Sequence, residues 1–430
     1  MRDSCEARLR DFRLEAMTTQ NGHRSEGQRI TVMFVINGLG TGGAERSLAE
    51  MLPGLVDGGV RPVVAVLAPR TEGVQEEVLS RGYDVRFLDE GNDRRSGHGS
   101  LPFALWGWTR ALRGEVAVDP PDIVHTTHFE SDLVGRLAFG RTTTPLLTSL
   151  VNTADDAIRR DDPNMRPIKL MMARRVDGWT ARRYGTHFHA ITHAVKRDAA
   201  AAMRISPDRI TVIERGRDPI RLGAPDPARR ARARRDLGLA PDDEVVVNLG
   251  RREYQKGQRY LIEAIAAMAP SRKSLRLLIA GRDGHASAEL STLVTRLGLE
   301  NQVRFLGHRS DVPEILSAAD VFAFPSLYEG LGGALIEAMA LGLPVVASDL
   351  EAVREVVEAG NNAALVPVRT PDAIARAIDG ILDSRPMAMS FGRRSRQIFE
   401  ERFTLERSVK SMTALYRSLA TRRAEEETYA

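Results

Sequence analysis

The chain has almost no cysteine, little lysine and no long apolar run. Cys5 is the single cysteine in 430 residues, so no intrachain disulfide can form, which fits a reducing compartment. No stretch reaches the ~18 consecutive apolar residues that a membrane-spanning helix needs. Residues 1–28 are charged and lack the apolar segment of a signal peptide. They read as a disordered extension, which a misplaced start codon (Met17 being the alternative) would account for. A cytoplasmic protein is therefore expected, with peripheral contact at the inner membrane face left open. The net charge of +4 is small for the length, and no nucleic-acid partner is expected. Arginine dominates the cations, because only Lys169, Lys196, Lys256, Lys273 and Lys410 are lysines. A lysine in a binding loop is thus more informative than usual.

What is present is ordinary in bulk, with 43% apolar and 27% charged residues, and the length suggests two domains. Short Val- and Ile-rich runs alternate with helical patterns throughout. The first set begins at 30, 62, 84, 122, 146, 188 and 210, and the second at 244, 275, 303, 321, 344 and 363. The runs are continuous rather than alternating, as in parallel strands covered on both faces. The prediction is an α/β chain of two doubly wound parallel-sheet domains, 29–218 and 219–400, with a ligand cleft between them. Residues 401–430 should form a helix packing back onto the first domain. The segment 214–243 between the two sets reads as a linker with a short arginine-rich helix, which could meet an anionic partner, but flanking acids favour a solvated helix face.

The unusual residues fall at expected strand ends. Gly38, Gly40 and Gly43 follow the first strand in G-x-G-x-x-G spacing, where backbone amides and a helix N-terminus favour a pyrophosphate. A nicotinamide-dependent oxidoreductase shares that pattern. It expects an acid near the end of the second strand, where Ala68, Pro69 and Arg70 stand instead. A tight turn without a ligand is the plainer alternative. In the second domain Arg251 follows a strand and Lys256 comes five residues later. They could converge on one phosphate or line a solvated loop.

The stretch from Pro325 to Asp349 places Glu329 before a glycine-rich turn and Glu337 inside an apolar helix starting near Leu331–Gly333. A carboxylate there is costly to bury unless ligand hydroxyls or an arginine pair with it. The alternative is a glutamate on the solvent face.

Together these segments resemble the retaining GT-B glycosyltransferases of family 4. PSLYEGLGGALIEAMALGLPVVASD looks like their Glu-x7-Glu segment, NLGRREYQKG like their G-R-x4-K-G loop, and GTGGAERSLAEML like their N-terminal Gly-Gly-Ala-Glu-Arg loop. DIVHTTHFESDLVGRLA resembles the His-bearing segment of their first domain, and FLGHRSDVPEILSAADVFAFPS the segment before Glu-x7-Glu. The order holds from about 30 to 420. The resemblance implies a nucleoside-diphosphate-sugar donor, UDP- or GDP-linked, and a glycan, lipid-linked or small-molecule acceptor, as in polysaccharide biosynthesis. It implies that Glu337 takes the ribose hydroxyls, that Glu329 contacts the donor sugar, and that Arg251 and Lys256 hold the diphosphate. Leu331, Gly332 and Gly333 would offer amides to phosphate and sugar, Gly42 and Gly43 would close from the first domain, and His128 would sit near the reacting centre. No cofactor is implied. The chain has no Asp-x-Asp triplet, which argues for cationic side chains instead of a metal.

The chain departs from the family pattern in three places. The usual Gly-Gly-x-Pro-Glu loop reads Glu351, Ala352, Val353, Arg354, Glu355, and a common Asn-Gly-Leu-Leu-Val-Pro begins Asn362, Ala363, Ala364. The linker's usual Asn-Gly-x-Asp is Arg215, Gly216, Arg217, Asp218. These changes bear on base recognition and loop closure. The acceptor side is expected around Asn152, Thr153 and residues 90–112, whose Trp106 and Trp108 could touch a lipid or sugar, core packing being the expected role. A sugar-nucleotide epimerase and a transfer-incompetent binder of nucleotide sugars are the other readings.

Overall fold

The computed structural model describes residues 29–70, 72–89, 101–153, 157–164 and 166–429. The extension expected over 1–28 and the first part of segment 90–112 lie outside the described residues. The first sheet contains β1 (Ile30–Ile36), β2 (Val60–Val66), β3 (Asp84–Phe87), β4 (Ile123–Thr127), β5 (Leu146–Leu150), β6 (His187–Ala190) and β7 (Ile210–Val212). The second contains β8 (Glu244–Leu249), β9 (Leu275–Ala280), β10 (Val303–Gly307), β11 (Val321–Phe324), β12 (Val345–Ser348) and β13 (Ala363–Val366). Every expected run becomes a strand, displaced by no more than a residue or two at its ends, because uninterrupted β-branched runs can bury both faces. The orders are β3-β2-β1-β4-β5-β6-β7 and β10-β9-β8-β11-β12-β13. All pairings are parallel. Each order reverses direction once, between β1 and β4 and between β8 and β11, and such reversals open crevices beyond the strand C-termini.

In the first domain α1 (Gly43–Asp57), α2 (Gln75–Ser80), α3 (Leu101–Val118), α4 (Phe129–Phe139), α5 (Pro167–Tyr184) and α6 (His193–Met203) follow β1 to β6 in turn. The link carries α7 (Pro219–Leu222) and α8 (Pro227–Asp236). The second domain has α9 (Gln258–Met268), α10 (Ser287–Arg296), α11 (Val312–Ser317), α12 (Gly333–Ala340), α13 (Glu351–Arg354), α14 (Pro371–Leu382) and α15 (Arg385–Arg402). The last helix, α16 (Leu405–Tyr429), buries Val409, Met412, Tyr416 and Leu419 with Phe34, Leu52 and Leu55 of the first domain. Tyr416 is also pinned by a buried polar chain. Ile213 O can only accept, so His189 Nε2 donates to it at 2.8 Å and His189 Nδ1 accepts from Ser149 Oγ at 2.9 Å. Ser149 Oγ then accepts from His125 Nε2, and His125 Nδ1 from Tyr416 Oη, both at 2.7 Å. One orientation satisfies every member of the chain.

The chain crosses between domains twice, side by side. Arg217 N donates to Phe403 O at 2.8 Å and Leu405 N to Arg217 O at 2.9 Å. Gly216 is required at this crossing, since a Cβ there would lie 2.1 Å from Thr404 O. The arginine-rich helix α8 differs from the expected solvated face. Arg229 pairs with Glu314 at 2.9 Å, Arg230 with Asp320 at 2.6 Å, and the buried Arg234 donates to Ala318 O at 3.1 Å. Its cations staple α8 to the second domain, because α11 and the β11 edge offer carboxylates and free carbonyls within reach.

Candidate active site

The glycine-rich turn after β11 sets the centre of the cleft. Gly332 caps α12 at φ 88°, a backbone conformation that a side chain would strain. No side chain caps that helix, so the first-turn amides at Gly333 carry the positive end of its dipole. Across the cleft Gly42 is the N-cap of α1, with Gly43 its first residue, and it too has no side-chain cap. The two helix starts are brought together by one guanidinium. Arg217 Nη1 reaches Ser47 Oγ, in the first turns of α1, at 3.2 Å. Arg217 Nε donates to Glu337 Oε1 on α12 at 2.9 Å, and its Nη2 lies 2.0 Å from where a Gly333 Cβ would be. Arg221 adds a 3.5 Å contact to Glu337 and a 3.0 Å ion pair with Glu50 of α1. Burial pushes the Glu50 carboxyl up against the pull of both arginines.

Glu337 is thus a half-buried carboxylate paired by arginine, one of the two partners expected for it. The solvent-face alternative does not hold. Arg217 was read only as a departure in the linker, and its central place was missed. The signal available was its own position. A cation beside a domain crossing, in a chain with one carboxylate inside an apolar helix, has few other buried acids to meet.

Lys256 and Glu329 are also brought together. Lys256 Nζ donates to Glu329 Oε1 at 2.5 Å, and Ser326 Oγ donates to the same oxygen at 3.0 Å. Glu329 is only 9% exposed, so this pair is largely shielded. Leu331 is buried beneath the turn. Arg251, at the end of β8, stays exposed, its nearest carboxylate oxygen being Glu253 Oε1 at 3.9 Å. A loosely held guanidinium beside a fixed lysine leaves a strong anion donor uncommitted.

His128 lies at the end of β4 with φ 85°, a strained value for a non-glycine residue. Its Nδ1 is buried without a hydrogen-bond partner. Burial lowers its pKa, opposed by Glu45, so the ring is neutral near pH 7. Asn37 ties this segment to the glycine loop, donating to Glu130 Oε2 at 2.6 Å and accepting from Ser131 Oγ at 2.6 Å. Arg215, one of the linker departures, is pushed down to about 10, first by burial and then by Arg217, and stays charged at neutral pH. Among the described residues no hydrogen bond or ion pair engages it.

Around this centre the domains touch directly. Thr192 Oγ1 donates to Gly330 O at 2.9 Å, and a Cβ on Gly330 would sit 2.4 Å from Val151 O and 3.0 Å from Asn152 Cα. Asn152 therefore lies beside the turn that carries Glu329, with Thr153 N donating to its Oδ1 at 2.9 Å. Tyr328 Oη donates to Asp162 Oδ2 at 3.3 Å. The altered loop at 351–355 has its own place in this closure. Glu355 accepts from the His193 and Ala194 amides at the start of α6, at 2.7 and 2.5 Å. Asn362 accepts from Glu358 N at 2.7 Å and is buried in the second domain. Trp108 packs against the first-domain core, but Trp106 is 65% exposed, contrary to expectation. Leu105, Trp108, Ala111 and Leu112 set the face of α3 that packs on that core, and Trp106 lies about 100° round the helix from Leu105. Arg70 lies against Gly38, its Cγ and Nε 2.9 Å from a Cβ built there.

Two family models match the chain, "Glycosyl transferases group 1" over residues 229–398 and "Glycosyltransferase Family 4" over 41–221. A D-inositol 3-phosphate glycosyltransferase of Geodermatophilus obscurus is 31% identical over 405 residues, 88% of this chain and 82% of that protein. The lipopolysaccharide core biosynthesis mannosyltransferase LpsB of Rhizobium meliloti is 31% identical over 215 residues, 49% of this chain and 61% of its own. Among solved structures, Anabaena Alr3699/HepE in complex with UDP and glucose superimposes with a TM-score of 0.77 at 23% identity, covering 90% of this chain and all of that one. The sucrose-phosphate synthase of Thermosynechococcus elongatus gives 0.77 at 23%, covering 91% and 99%.

Proposed function

This chain belongs to the group 1 glycosyltransferases of the GT-B type, and from that premise we propose that it transfers a sugar, with retention and without a metal, from a UDP- or GDP-linked donor to a glycan, lipid-linked or small-molecule hydroxyl. The observation that carries the reading is the meeting of two uncapped helix starts, α1 and α12, on either side of the Arg217–Glu337 pair. Two positive helix ends beside Arg217 and Arg221 form an anion site, with Glu337, Glu50 and the first-turn Glu45 of α1 as the counter-charges already in place. A donor diphosphate supplies the rest. Glu337, held by Arg217 and Arg221, presents its second oxygen to ribose hydroxyls. Lys256 and Arg251 face the phosphates, with the Gly332–Gly333 amides and Gly42–Gly43 completing the cradle. Glu329, fixed by Lys256 and Ser326, orients the donor sugar. Neutral His128 lies on the acceptor side, where its enclosed Nδ1 lacks a partner.

In this scheme no enzyme carboxylate attacks the sugar. The bond from anomeric carbon to phosphate oxygen breaks, and the cations and amides stabilise the departing diphosphate. That leaving oxygen takes the proton of the acceptor hydroxyl as the hydroxyl oxygen bonds to the same face. The HepE structures carry UDP, glucose and UDP-glucose, which supports a nucleotide-sugar donor. The test is incubation with UDP- and GDP-hexoses and an acceptor panel in excess chelator, the product's anomeric coupling being read by NMR. The expected product keeps the donor's configuration. An inverted product, or turnover abolished by chelator, contradicts the scheme. Binding of a donor with no turnover on any acceptor would favour a transfer-incompetent binder.

A further inference from the structure

The first domain carries a surface that the cleft does not explain. Along α5, Ile168, Met172, Val176 and Trp179 are exposed at one-turn spacing, Ile168 at 70% and Trp179 at 54%. This is one stripe of a helix, but it faces away from the core. Lys169, Arg175 and Arg183 are exposed beside it. The single acid of α5, Asp177, is turned inward, where Arg136 of α4 donates to its Oδ1 at 2.5 Å. Helix α3 extends the patch, with Phe103 and Trp106 exposed and the Arg110 guanidinium 5.7 Å from the Trp106 ring centre. Helix α4 lies between them, tied to α3 by Arg113 donating to Leu137 O at 2.6 Å and to α5 by Arg136.

We propose that this α3–α5 face docks on an anionic lipid bilayer. Apolar side chains including tryptophan, interleaved with cations and no exposed acid on α5, match an interface where acyl chains lie beneath anionic headgroups. A second copy fits poorly, because a two-fold contact of this face with itself sets cations against cations. A nucleic acid would use the cations and leave the apolar stripe in water. Among the described residues no helix can cross a membrane, so the contact is peripheral. Docking would also orient the cleft. The segment just before α5 touches the second domain, with Arg159 5.4 Å from the Tyr328 ring centre and Asp161 paired with Arg369 at 2.8 Å. The face therefore begins at the cleft's rim, and a bilayer there would present a lipid-anchored acceptor. That last consequence alone rests on the transferase reading.

The test is co-sedimentation of the full chain with phosphatidylcholine vesicles, with and without phosphatidylglycerol, at low and high salt. Binding is expected only with phosphatidylglycerol and is expected to weaken with salt. The triple variant Lys169→Gln, Arg175→Gln, Arg183→Gln should lower partitioning by about a hundredfold. Met172→Ser with Trp179→Ser should lower it further at both salts, with unchanged melting and nucleotide-sugar affinity. Wild-type protein that stays in the supernatant overturns the proposal. So does a dimer in sedimentation velocity that Trp179→Ser dissociates, or binding to a duplex RNA probe that only the charge variant weakens. None of these outcomes touches the donor site, so failure here and failure of the transferase reading remain distinct.

Discussion

Lys256 and Glu329 show how a binding residue can also be structural. Their 2.5 Å pair is mostly shielded, so Lys256→Ala leaves a carboxylate without its cation. We expect a loss of about 1–3 kcal/mol in chemical denaturation. Adding Glu329→Gln should restore most of the stability but not donor affinity. Asp132 sets a different test. Burial pushes its carboxyl up to about 7, against the pull of Arg136. The folded chain therefore holds a proton that the unfolded chain releases near the ordinary carboxylate range. The contribution of this one group to stability should fall as pH rises between about 4 and 7, opposite in sign to that of the buried histidines. Asp132→Asn should flatten that slope, and urea midpoints across the range would read it. An unchanged slope would show that Asp132 ionises freely in the fold. Of the residues named from sequence, Glu329, Glu337, Lys256 and the glycines were legible because their types are unusual where they stand. Arg217 was not, since a linker arginine looks solvated until its partner's position in space is known.

At the scale of elements, the two sheets were legible because buried parallel strands are written as unbroken β-branched runs. The arginine-rich α8 was misread, because charge alone does not say whether acids and carbonyls lie opposite. The polar chain from Tyr416 to Ile213 had no sequence signal, as its members come from β4, β5, β6 and α16. Burial holds His189 down to about 4 and His125 well below its ordinary value. Both rings charge in the unfolded chain first, so this contribution is whole above about pH 6.5 and is lost as pH falls toward 4. His189→Gln should reduce the acid sensitivity in urea titrations. Tyr416→Phe should cost about 1 kcal/mol at neutral pH, because the hydroxyl is the chain's terminal donor. The double crossing at Gly216 and Thr404 gives a steric test. Gly216→Ala should cost about 1–3 kcal/mol by overpacking, and a neutral result would mean that the crossing strands can separate.

At the scale of the molecule, the cleft is a product of topology. Both sheets reverse order beside the strands that carry the site, so Gly42–Gly43, His128, Arg251 and Glu329 all stand beyond strand C-termini on facing domains. Their order along the chain made that grouping legible. The direct closure through Arg217, Glu355 and Thr192 was not, because it depends on how two separately folded sheets meet. The central claim is that a nucleoside diphosphate sugar binds between the helix starts of α1 and α12. Calorimetric titration with UDP, GDP and their hexose conjugates, on wild type and on Arg217→Ala, Glu337→Ala and Lys256→Ala, tests it most directly. The account predicts binding of one nucleotide series, weakened at least tenfold in each variant, with each variant still folded by circular dichroism. Undiminished binding in all three folded variants, or no binding by wild type, would contradict it.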